Sequence, residues 1–114
     1  MAEKPETKQE IFSVDQRRWR DVGAGLCALD LHETNGRRLQ LVRLGPAGRI
    51  LAHQHAGTEV MYLICGSMVV DGVRLRAGDV LKSATGTIHR ESVAGAEGCE
   101  LVIECSPDDQ LLRS

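Results

Sequence analysis

At 114 residues the chain has room for one domain and not for two. With a formal net charge of -2 and only Phe12, Trp19 and Tyr62 as aromatics, it lacks both a basic phosphate-binding surface and stacking platforms. A nucleic-acid partner is therefore not expected, and no stretch approaches the roughly 20 apolar residues of a membrane span.

Residues 1–10 are rich in Lys and Glu and have no apolar centre. They read as a flexible tail and not as a secretory signal, which leaves the cytoplasm as the expected location and 11–114 as the folded domain. In that reducing setting Cys27, Cys65, Cys99 and Cys105, none spaced as C-x-x-C, are expected as reduced thiols that are mostly core.

Residues 11–20 read as a short lead-in that includes a strand. From there the chain meets a turn signal about every ten residues, at Asn35-Gly36, Gly45-Pro46, Asp71-Gly72, Ala77-Gly78-Asp79, Thr85-Gly86 and 95–98. Asp71-Gly72, set between Met68-Val69-Val70 and Val73-Arg74-Leu75, is a two-residue hairpin signal. Further on, Cys99, Leu101 and Ile103 alternate with Glu100, Val102 and Glu104, the period of a half-buried strand. No window supports a long amphipathic helix. The pattern predicts an all-β antiparallel domain, and alone it does not choose between sandwich and barrel.

Of the four histidines, His53 and His55 stand one residue apart, so on a strand both rings leave the same face. Glu59 follows behind a turn at Ala56-Gly57, and His89 lies thirty residues further on, behind Thr85-Gly86. Three imidazoles and a carboxylate suit a borderline divalent ion such as zinc, iron, nickel, manganese or copper. They suit calcium and magnesium poorly, since both prefer oxygen ligands. An H-x-H pair alone is no site. The carboxylate at turn distance and the third histidine in a matching setting single this one out. His32 has no such company and reads as solvent-facing.

These residues resemble the cupin family, whose motifs are G-x5-H-x-H-x3-E-x6-G and G-x5-P-x-G-x2-H-x3-N. His53, His55, Glu59 and Gly66 fit the first from its histidine onward, and Gly78, Gly86 and His89 fit the second. Gly48 stands one residue closer to His53 than the pattern asks, Ala84 replaces the proline and Val93 the asparagine. None of these three is a ligand position in the family. Within the cupins, Gly57-Thr58-Glu59, Arg76-Ala77-Gly78-Asp79, Thr85-Gly86-Thr87-Ile88-His89 and Glu97-Gly98-Cys99-Glu100-Leu101 are similar to the cupin domain of ChrR-type anti-sigma factors and to acetylacetone-cleaving dioxygenases. The likeness implies a jelly-roll barrel (a double-stranded β-helix) with one metal ion held by His53, His55, Glu59 and His89. No H-x-x-x-C-x-x-C motif accompanies it, so sigma-factor binding is not carried over.

On that plan Glu59, Met61 and Leu63 face inward. Counting by twos from His89 puts Glu91 inside as a catalytic base or fifth ligand; a bulge would put it at the rim instead. The same counting turns Cys65, Cys99 and Cys105 inward, as packing or as an extra thiolate ligand. Trp19 is expected in the core or at a dimer contact, and Arg43, Arg49, Arg74 and Arg76 on a solvated face. Three functions stay open: a metalloenzyme of dioxygenase or hydrolytic type, a ChrR-like metal-dependent sensing or ligand-binding module, and a structural zinc barrel. The absence of closely spaced cysteine ligands disfavours the last. A small-molecule ligand or substrate is expected, and a homodimer formed through the outer sheet around Tyr62 and Ile64.

Overall fold

The computed structural model describes residues 9–13 and 18–109. The expected tail therefore lies outside the described residues over 1–8, and so does part of the lead-in, 14–17. The described residues form ten strands and no helix: β1 (Arg20–Gly23), β2 (Leu26–Thr34), β3 (Arg37–Leu44), β4 (Arg49–Ile50), β5 (His53–Gln54), β6 (Glu59–Val70), β7 (Val73–Arg76), β8 (Val80–Ser83), β9 (Ile88–His89) and β10 (Ser92–Cys105). No helix among them is long and apolar enough to cross a membrane. Among the described residues the strand nearest the lead-in is β1, which begins at Arg20.

The choice between sandwich and barrel falls to the jelly-roll barrel. Eight strands join in one antiparallel sheet ordered β1-β2-β3-β10-β6-β7, with β4 added to β10 and β8 to β6, while β5 and β9 pair separately. The long strands β6 and β10 form its spine. The near half of β6 pairs with β8, its far half with β7, and both halves with β10. The two-residue turns predicted at Asn35-Gly36 and Asp71-Gly72 close the β2–β3 and β6–β7 hairpins with both residues of each pair at positive φ.

Inside, Leu26, Val42, Leu44, Leu63, Met68, Leu101 and Ile103 form one buried cluster. Each comes from the inward parity of its strand, and Cys99 and Cys105 join them as apolar packing. Burial pushes the Cys99 thiol up to about 11 and that of Cys105 to about 12, so both stay protonated rather than serving as thiolates.

Parity fails where strands bulge. Glu100 pairs with Cys65 but Leu101 pairs with Leu63, so Ile64 is an extra residue; Cys65 is thrown outward and is exposed, against expectation. The turn expected over 95–98 is no chain reversal but an irregularity inside β10, between Ala94 and Cys99. Trp19 is half-buried beneath the guanidinium of Arg43, 4.4 Å from the ring centre, and is not in the core. His32 is also half-buried, its ring 4.7 Å from that of Phe12.

At the irregularity, Gly66 sits opposite Cys99 with φ +80, and a Cβ there would meet the Gly98 carbonyl and the Cys99 backbone. Gly72 has φ +81 but open space around it. Gly72→Ala is therefore expected to cost only the left-handed backbone penalty of about 1–2 kcal/mol. Gly66→Ala adds a backbone clash and should cost about 2–4 kcal/mol, summing that penalty and overpacking. Chemical denaturation of the two variants beside the parent would check this; equal losses would contradict it.

Candidate metal centre

The site is built on the smallest sheet. His53 in β5 is the direct cross-strand partner of His89 in β9, which brings together two residues 36 apart in sequence. The ribbon is extended by His55 N–H donating to the Thr87 carbonyl at 3.0 Å and Gly86 N–H donating to the His55 carbonyl at 3.0 Å. The Thr85-Gly86 turn thus holds the β5 end, with Gly86 at positive φ. Glu59 opens β6 opposite Ser83 of β8 and points inward ahead of Met61 and Leu63, as the parity predicts.

His55, Glu59 and His89 are 1%, 4% and 6% exposed, and His53 is half-buried. Donor atoms of His53, His55 and Glu59 all lie within 4.8 Å of one another. The His89 ring stands 4.7 Å from that of His55 and 5.8 Å from that of His53. Its Nε2 is turned to Ser83 Oγ at 3.0 Å, so the structure gathers three of the expected donors tightly and sets the fourth beside them.

Hydrogen bonding settles which nitrogen of each ring is a lone-pair donor. His53 Nδ1 faces the Leu51 carbonyl at 2.9 Å, His55 Nδ1 faces Asp109 Oδ2 at 3.3 Å, and His89 Nδ1 faces Asp71 Oδ2 at 2.9 Å. Where these oxygens accept, Nδ1 carries the proton and Nε2 the lone pair, which in His89 accepts from the Ser83 hydroxyl. That is the tautomer a metal-bound imidazole needs when oxygen acceptors orient it from behind. His55 Nε2 is buried with no hydrogen-bond partner. A buried nitrogen lone pair without a donor is costly unless a cation or donor meets it. The residues therefore fit a divalent ion.

The electrostatics agree with that fit. Burial pushes Glu59 up to about 8, and the nearby charge of Asp109 adds to the effect against the opposing pull of Arg37. Burial lowers His55, keeping the ring neutral and able to ligate. A small space beside them, lined by His53, Glu59, His89 and Asp109 together with Ile50, Met61 and Ile103, is about 10 Å³, room for an ion or one water.

Glu91 does not join them. The chain leaves strand geometry at Arg90 and Glu91, so the next inward residue after His89 is Ser92, three steps on. Glu91 is exposed, 3.5 Å from the Arg49 guanidinium. Three residues that sequence reasoning missed take part instead: Asp109, Asp71 and Ser83. Asp71 was visible only as a turn residue, yet its carboxylate holds His89 and the Arg90 N–H, and the His89 bond chiefly lowers its pKa.

Arg37 supports the loop before Glu59. Its guanidinium donates to the Thr58 carbonyl at 2.6 Å and grips both Glu104 oxygens at 3.0 and 2.7 Å.

An antiparallel jelly roll with a buried His/His/Glu cluster on its short ribbon defines a cupin with a candidate metal site. The family model described as the ChrR cupin-like domain matches residues 7–107, and the chain belongs to that family. A search of curated proteins finds no match. Among solved structures, an RmlC-like cupin from Shewanella frigidimarina is 24% identical with a TM-score of 0.76, over 88% of this chain and 92% of that one. The anti-sigma ChrR of Rhodobacter sphaeroides, solved in complex with SigE, is 21% identical with a TM-score of 0.73; 82% of this chain matches and spans only 51% of its length. An acetylacetone dioxygenase from Acinetobacter johnsonii is 16% identical with a TM-score of 0.74, over 93% and 79%. At these identities the likenesses show the fold.

The Arg37–Glu104 pair yields a pH prediction. Hydrogen bonding to Arg37 holds Glu104 below the ordinary carboxylate value. Its stabilisation is therefore full above that ordinary value and is lost as pH falls through the lowered one. Arg37→Ala should flatten this part of the acid-unfolding limb, by less than about 1 kcal/mol because both groups are well exposed. Stability measured from pH 6 to pH 3 checks it; an unchanged acid limb would contradict the assignment.

Proposed function

We propose that this protein is a cytoplasmic metal-binding cupin in which His53, His55, Glu59 and His89 hold one divalent ion of iron, zinc, nickel or manganese per chain. The observation that carries the reading is the convergence of donor atoms of His53, His55 and Glu59 within 4.8 Å of one another, with His55 Nε2 buried and unpartnered. When bound, such an ion supplies a Lewis acid that polarises a small molecule on it. The chain's own residues orient the donors from behind and exclude water with Ile50, Met61 and Ile103.

Between sensing and catalysis, the match to the ChrR cupin-like family over residues 7–107 favours a sensing or ligand-binding module. The half-exposed His53 edge supports a second reading, a small-molecule metalloenzyme of dioxygenase type, since it is the open side through which a substrate would reach the ion. Pairing as a homodimer is part of the proposal. Leu41, Val102, Tyr62 and Val80 are successive cross-strand partners in one outward row, with Tyr62 45% and Val80 60% exposed.

Metal analysis of untagged protein is expected to give close to one ion per chain, and the double variant His53→Ala/His89→Ala is expected to lose it. Unchanged content in that variant would refute the ligand set. Stripping the ion with a chelator should lower Tm by about 10–20 °C, taking about 2.7 kcal/mol for metal at a hundredfold excess over Kd. Oxygen uptake by iron-loaded protein with small β-diketones would move the assignment to the enzyme. Stabilisation by a small ligand without uptake would hold it with the sensor.

A further inference from the structure

We infer that Asp109, carried on the segment after β10, fixes the metal-binding tautomer of His55 and is a positioning residue of the site. The inference rests on the metal-site reading and adds to it a residue 54 positions away from the histidine it serves.

Asp109 is 4% exposed although it follows the last strand, because the chain folds back there. Asp109 N–H donates to the Ser106 carbonyl at 3.1 Å and Asp108 N–H to Ser106 Oγ at 3.2 Å, making a tight turn. That turn lies on the loop between β5 and β6. A Cβ on Gly57 would stand 3.0 Å from the Ser106 Cβ, so glycine is what permits the approach. In this position Asp109 Oδ1 accepts the Ala56 N–H at 2.8 Å, and Oδ2 faces His55 Nδ1 at 3.3 Å.

The chemistry of those two bonds gives Asp109 its role. An ionised carboxylate offers acceptors only, so with Oδ1 taken by a backbone donor, Oδ2 draws the proton of His55 to Nδ1. Nε2 is then the lone pair, buried and otherwise unpartnered. Glu59 Oε2 also lies near Nδ1, at 3.4 Å. Asp109 Oδ2 is the nearer of the two and the one whose carboxylate is anchored by a backbone donor, so it takes the proton.

An amide at this position cannot do the same. Asn has one acceptor oxygen and one donor nitrogen. With its oxygen on the Ala56 N–H, its NH2 group would face His55 Nδ1, favouring the tautomer with the proton on Nε2, where it blocks ligation. Asp71 offers the matching control on His89. Its φ is +48, a conformation in which Asn sits readily, so Asp71→Asn keeps the hairpin and alters only the other ring.

The test uses the full chain, with long-range 1H–15N NMR of the metal-free protein and chelator competition for cobalt(II). The unaltered protein is expected to show His55 protonated on Nδ1. In Asp109→Asn the proton should move to Nε2 at His55, with His89 unchanged, and cobalt(II) affinity should fall about 10–100-fold. Asp71→Asn should shift His89 and leave His55 alone. An unchanged His55 tautomer in Asp109→Asn, or parent-like affinity, would overturn the inference while leaving the metal site standing. If that variant does not fold, the unaltered protein decides: a His55 proton on Nε2 sinks the inference, and one on Nδ1 supports it. Failure of the unaltered protein to bind cobalt(II) would instead overturn the metal-site reading, with the tautomer result still reporting on Asp109.

Discussion

The direct opposition of His53 and His89 across β5 and β9 is the contact on which the rest of the site depends. Each of these strands is two residues long. A lone ribbon that short has little stability of its own. It persists because the barrel holds both ends of it. Glu59 begins the strand that forms the spine of the large sheet, and Asp71 reaches back from the β6–β7 turn to hold the His89 ring. The large sheet therefore acts as a frame, and the ribbon as the surface on which the donors are displayed.

That display works against stability. His55, Glu59, His89, Ser83 and Asp109 are buried polar or ionisable groups within one small region of a 114-residue chain. Burying such groups costs several kcal/mol unless each finds a partner, and replacing them with packed apolar side chains is often neutral or better. The raised Glu59 and the unpartnered His55 nitrogen mark where partners are lacking. Concentrated perturbation of this kind, in a cavity, is characteristic of sites kept for chemistry or binding rather than for folding.

How much of this was legible depended on whether strand parity held. His53 and His55 come together as read because hydrogen bonds to Thr87 and Gly86 carry the β5 ribbon on through His55, and the inward set Glu59, Met61 and Leu63 reads correctly because β6 stays regular until Ile64. Parity fails at Ile64, within 95–98 and between Asp30 and His32, where the register shifts, and at Arg90-Glu91, where the chain leaves strand geometry. That is why Cys65 and Glu91 turned out to face solvent and why a predicted turn is a bulge. Bulges leave little trace in composition, although glycines at 66, 95 and 98 were a local hint. Asp109 was illegible for a different reason. Nothing in Ser106-Pro107-Asp108-Asp109 encodes its contact with Ala56, which exists only once β10 has carried this segment onto the loop between β5 and β6.

The three rings are not equivalent, and the differences give the site a direction. His55 and His89 are buried and backed by carboxylates, which fix the orientation of the ring they hold. His53 is half-exposed and backed only by the Leu51 carbonyl. His53 is the half-exposed edge of the cluster, while Ile50, Met61 and Ile103 line the space beside it. The opposite side is tied by Asp109 to the turn after β10, so His55 is positioned by two segments that meet only in the folded barrel.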